Sequence, residues 1–145
     1  MKTKLTKRRI ALIQLERSLA VLEDGDPVSA LTLAGAAEEI LGCFARRRGF
    51  PPCVELSAEG IGDIVERAGR ARPPKKRLMA FLNFPRNHAK HQDDGRNVRV
   101  DFDWQGEAEN MIFRAMLNHY NAFECFPADD RLRTWMRRIM PRQVA

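Results

Sequence analysis

Residues 26–49, "DPVSALTLAGAAEEILGCFARRRG", decide the fold class. Asp26 has the side chain of an N-cap, and Pro27 suits a first helical position, where its missing N–H costs nothing. Gly49 provides the stop. The spacing predicts a helix from Pro27 to about Arg48. Its small residues Ala30, Ala34, Ala37 and Gly42 allow a neighbouring helix to approach closely.

Working outward, residues 4–23 carry Leu5, Leu12, Leu15, Leu19 and Leu22 on one side at helical spacing, with basic residues opposite. "DGDP" (24–27) separates this helix from the next. Downstream, "FPPC" (50–53) reads as a loop. Residues 57–69 read as a short helix opened by Ser57 and weakened by Gly60 and Gly62. "GRARPP" (69–74) breaks the chain, and a helical segment covers about 75–91, kinked or restarted by Pro85. "GRNVRVDF" (95–102) is an extended loop or short strand. Asp103 caps a long helix to about Phe126, packing through Ala108, Met111, Ile112, Ala115, Ala122 and Phe123. "PADD" (127–130) opens a final amphipathic turn or helix with Leu132, Trp135 and Ile139 inward. The expected architecture is all-α, a bundle of four to six helices with short connections, residues 1–145 forming one domain.

The apolar runs are short and interrupted, so no membrane span is expected. The basic start "MKTKLTKRRI" lacks the apolar stretch of a secretory signal. Cys43, Cys53 and Cys125 are odd in number and without metal-ligand spacing. They read as reduced thiols of a cytoplasmic protein, with neither metal nor cofactor expected. The net charge of +6 and pI near 9.7 suit a polyanionic partner. The excess is spread over "KTKLTKRR", "ARRRG", "RARPPKKR" and "RTWMRRIMPR", and a solvated basic surface explains it equally well.

Two of the three histidines fall within "FPRNHAKHQDDG" (84–95). On a helical projection of 78–91, Leu78, Leu82 and Ala89 share one face. Asn83, Arg86, Asn87, Lys90 and His91 occupy another sector, about 140° wide at 100° per residue. His88 points away from His91 on that ideal helix. An arginine followed five residues later by histidine arises by chance about once in a basic chain of this size. A second match, Arg114 and His119 in "RAMLNH", lies near the apolar side of the long helix and reads as structural.

"RNHAKH" resembles the Arg-polar-x-x-x-His motif of the HEPN superfamily of small α-helical proteins, with asparagine as the polar residue. The layout is similar too: two long N-terminal helices, the motif past mid-chain, acidic Asp93 and Asp94 after it, then another long helix. The chain also resembles a group of uncharacterised bacterial proteins sharing "DPVSALTLAGAAEEIL" and "NFPRNHAKH".

The resemblance implies a metal-independent endoribonuclease, a homodimer bringing two motifs to one cleft, in a toxin or defence setting with an antitoxin or other partner protein. The residue chemistry suits that. Cleavage by RNA's own 2′-OH needs a base, an acid and positive charge at phosphorus. His91 would move the proton, and Arg86 would hold phosphate oxygens. Asn83, Asn87 and His88 are supporting candidates. Glu38, at the border of the apolar face, is placed to tune the motif, whereas Glu39 is expected to face solvent. Lys90, Lys75, Lys76 and Arg77 are candidate RNA contacts. Some HEPN toxins carry a modifiable tyrosine two residues after the histidine; Asp93 stands there in this chain, so regulation by that route is not expected.

Two rivals remain. One is a non-catalytic HEPN-like module binding nucleotide, RNA or a protein. The other is a DNA-binding regulator using "RLRTWMRRIM", which lacks a helix-turn-helix partner.

Overall fold

A computed structural model describes residues 3–91, 97 and 99–143, with side chains to residue 140. Seven helices follow one another: α1 (Lys7–Glu23), α2 (Pro27–Arg47), α3 (Cys53–Arg67), α4 (Lys75–Leu82), α5 (Phe84–Lys90), α6 (Trp104–Phe123) and α7 (Asp130–Gln143). The described residues contain no strand. Of "GRNVRVDF", residues 95, 96 and 98 lie outside the described residues.

The expected four to six helices become seven because Pro85 divides the segment 75–91. Without an N–H, proline cannot donate to the carbonyl four residues back. Asn83 therefore ends α4 and begins α5 at φ −99°, ψ 0°.

Several boundaries also differ from the sequence reading, for local reasons. α1 starts at Lys7, where the Thr6 hydroxyl accepts from Arg9 N at 3.1 Å, and Leu5 is exposed rather than on the apolar face. α3 starts at Cys53, not Ser57. Pro52 precedes it without a side-chain cap, and Asn118 of α6 supplies one by accepting from Cys53 N at 2.8 Å. α6 stops at Phe123 because Glu124 adopts the left-handed region at φ 58°. α2 begins as expected, with Asp26 accepting from Ser29 N at 3.0 Å.

α2 is the centre of the bundle. The short 24–26 turn makes it antiparallel to α1. Residue pairs Glu38–Arg114, Gly42–Asn118 and Arg48–Ala122 rise together, so α2 and α6 run parallel. Ala30, Ala34, Ala37 and Gly42 are buried in these seams. A Cβ on Gly42 would sit 3.2 Å from both Asn118 and Pro52, so the helices approach closely there and a larger residue would need its neighbours to give by a few tenths of an ångström. Leu15, Leu19, Leu31, Leu41, Ile112, Met116 and Leu132 fill the core, each large side chain contributing about 1.5–3 kcal/mol on burial. α7 closes the bundle with Leu132, Trp135 and Met136 buried and Ile139 packed at the edge.

α2 is also, among the described residues, long and apolar enough by length and composition to cross a membrane. Half of that stretch is buried inside the bundle. Its small and aliphatic residues serve two helix seams at once, which is why it is apolar on more than one face.

Candidate functional site

α5 rides on α2 through a notch at Gly35. The Arg86 side chain crosses α2 there: a Cβ on Gly35 would stand 2.3 Å from Arg86 Cδ and 2.9 Å from Cγ. Arg86 is consequently 7% exposed. Its Nη2 lies 3.3 Å from Glu39 Oε1 and donates to Asn87 Oδ1 at 3.5 Å. Nε and Nη1 are buried without a partner among the described residues. Glu39, expected to face solvent alone, is 57% exposed yet holds the motif arginine. Gly35 and Glu39 are four apart and share a helix face, so the notch and its carboxylate were legible as one stripe; what docks on it was not.

Glu38 borders the Arg86 cleft but makes no ion pair with Arg86 among the described residues. It is 3% exposed and takes the other arginine: Arg114 Nη2 donates to Glu38 Oε1 at 2.9 Å and to Asn83 Oδ1 at 3.0 Å. Asn118 Nδ2 donates to the Glu38 carbonyl at 3.2 Å. Adjacent glutamates of α2 thus divide two arginines between them, because successive helical residues point about 100° apart. Asn83 is thereby engaged with Arg114 rather than Arg86.

His119 is 1% exposed. Its Nδ1 donates to the Cys125 carbonyl at 2.6 Å, a contact that fixes the proton on Nδ1, and Nε2 is buried without a partner. Burial pushes its pKa down, with the Arg8 charge acting the same way and the Cys125 bond opposing. The Arg114/His119 pair is therefore structural, as its place on the long helix suggested.

His91 is exposed and ends α5 in an extended conformation at φ −126°, ψ 143°. That departure invalidates the ideal projection. His88 and His91 face one recess of about 280 Å³, together with Phe84 and Asn87. His88 packs edge-on to Phe84 at 4.2 Å, and Phe102 lies 5.6 Å from Phe84. Phe84, which lines the recess, is 48% exposed and so presents aromatic surface there.

Arg86 borders a separate cleft of about 310 Å³ with Asn83, Glu38, Glu39, Cys43, Arg46 and Met79. In one chain the two motif residues therefore open onto different depressions, joined through Asn87. Lys90, Lys76 and Arg77 are exposed without ion pairs among the described residues. Lys75 differs from expectation: Glu55 and Glu59 hold it at 3.0 and 3.2 Å, and their hydrogen bonds raise its pKa. Its charge is already matched within the fold. Asp93 and Asp94 lie outside the described residues. Among the described residues no three His, Cys, Asp or Glu side chains gather as metal ligands.

No family model, curated protein or solved structure matches the chain.

Proposed function

We propose that this chain is a HEPN-like protein acting on RNA, and that it cleaves RNA as a homodimer through His91. The observation that supports this reading is the recess at the end of α5. An exposed imidazole, a second histidine and an amide share it with the half-exposed Phe84 ring, and Lys90 is near in sequence. Single-stranded RNA is bound by such pairings of cations with aromatic faces.

In the proposed step the 2′-oxygen attacks phosphorus while one His91 accepts its proton. The bond from phosphorus to the 5′-oxygen breaks, and the second copy's His91 protonates that leaving oxygen. The products are a 2′,3′-cyclic phosphate and a 5′-hydroxyl. Two copies supply the base and acid that a single His91 cannot supply together. Arg86 contributes positive charge from behind Asn87, to which it donates and which lines the recess. A cytoplasmic setting and a regulating partner protein belong to the same reading.

The burial of Arg86 and its engagement by Glu39 favour a second reading, in which RNA is bound without turnover. Incubation of single-stranded RNA with the protein in EDTA separates the two, since the His91 chemistry uses no metal. Cleavage to cyclic phosphate, with DNA left intact for want of a 2′-OH, supports catalysis. Binding without cleavage supports the second reading, and neither activity removes both.

A further inference from the structure

Across α2 from the Arg86 cleft lies a groove of about 220 Å³ lined by Lys7, Ile40, Cys43, Phe44 and Arg47. It forms because α1 and α2 are antiparallel, bringing the amino end of one beside the carboxyl end of the other. Ile40 and Phe44 are half-buried and make an apolar floor; Lys7 and Arg47 are exposed at its rim. We propose that this groove binds single-stranded RNA, with Lys7 and Arg47 on phosphates and a base against Phe44 and Ile40.

The charges distinguish this groove from the neighbouring basic surface. Arg46 is paired with Glu55, and Arg48 with Glu124 at 2.9 Å. Lys7 and Arg47 have no ion pair among the described residues, so their charge is free for an anion. Arg8 lies 4.0 Å above the Phe123 ring, which in turn stands 5.5 Å from Phe44. The tilted contact with Phe123 braces the Phe44 ring, which lines the groove with both cations.

An aromatic ring sharing a groove with two cations suits a base with flanking phosphates. A duplex hides its base faces, and a flat anionic membrane meets the rim cations without reaching the recessed floor. Single-stranded nucleic acid fits both parts of the groove. Cys43 lines this groove and the Arg86 cleft alike. From Glu39, which meets Arg86, to Arg47 is about 12 Å along the α2 axis at 1.5 Å per residue, a span of a few nucleotides. One strand can occupy both places. The choice of RNA over DNA rests on the proposed function above.

The test is fluorescence anisotropy with a 2′-O-methyl polyuridylate, which cannot be cleaved, over a salt series. The protein is compared with a Lys7→Gln/Arg47→Gln variant and with an Arg67→Gln/Arg70→Gln control of equal net charge. The groove variant is expected to bind about tenfold more weakly. Its slope of log K on log salt should be shallower by about 1.4, about 0.7 for each phosphate no longer neutralised. The control should stay close to the wild type. Equal losses in both variants would reduce the effect to net charge and overturn the groove. So would unchanged RNA binding by the groove variant combined with lost binding to phosphatidylserine vesicles. If the wild type binds no RNA at any salt, the RNA reading itself fails and the groove assignment goes with it.

Discussion

Arg114 and Glu38 meet across α6 and α2 at 2.9 Å, their side chains 2% and 4% exposed. A charge taken so far from water must be matched, and here Asn83 and Asn118 add hydrogen bonds around the pair. The pair joins the two central helices and ties the α4–α5 junction to them. It positions the candidate site without lining the His91 recess.

Removing one partner leaves the other charged and buried. Arg114→Ala is expected to cost about 3–5 kcal/mol of stability, and Glu38→Ala a similar amount. The double replacement Glu38→Leu/Arg114→Met should cost less than either single truncation, because no orphaned charge remains. Urea unfolding of the four proteins measures this. A double variant less stable than both singles would mean that the pair contributes net stability through its bonds.

His119 gives a pH signature with a fixed sign. Its pKa is lowered in the fold by burial, below the ordinary 6.5 of the unfolded chain. Between those two values the unfolded chain binds more protons, so stability rises with pH. The His119 contribution is complete above pH 6.5 and is lost as pH falls through the lowered value. The melting temperature should drop more between pH 7.5 and 5.5 for wild type than for His119→Gln. Parallel curves would exclude a buried neutral imidazole.

Gly35→Ala should force Arg86 out of its notch. Overpacking of this kind costs about 1–3 kcal/mol. The cost should shrink in an Arg86→Ala background, because the clash is with Arg86 Cδ and Cγ. A double-mutant cycle by thermal melting reads the coupling directly. Additive effects would show that α5 does not depend on this contact.

On the proposed function, His91→Ala should lower RNA cleavage by on the order of 10²-fold or more, the scale of a lost acid or base. Arg86→Ala should lose a comparable factor through transition-state charge. Matched melts guard against unfolding, to which Arg86 is the more exposed risk because it is buried. Unchanged cleavage by a folded His91→Ala protein would remove His91 from the chemistry.

The sequence by itself determined what depends on neighbours within one or two turns. Asp26, Pro27 and Asp103 cap their helices, apolar spacing selects the buried faces of α1, α6 and α7, and Pro85 interrupts α4–α5. Each is a local hydrogen bond, a steric clash or a helical repeat. It also separated His91, in the polar sector of the 75–91 segment, from His119, near the apolar side of a long helix. Tertiary structure alone decided the rest. Which arginine Glu38 would take, that Glu39 would turn back to Arg86, and that Asn118 would cap α3 are pairings across distant segments. The gathering of His88 and His91 in one recess depended on where α5 unwinds. Helical periodicity gives the direction of a side chain about its own axis; the partner it meets is set by how the helices are packed, and that is fixed only when the whole core closes.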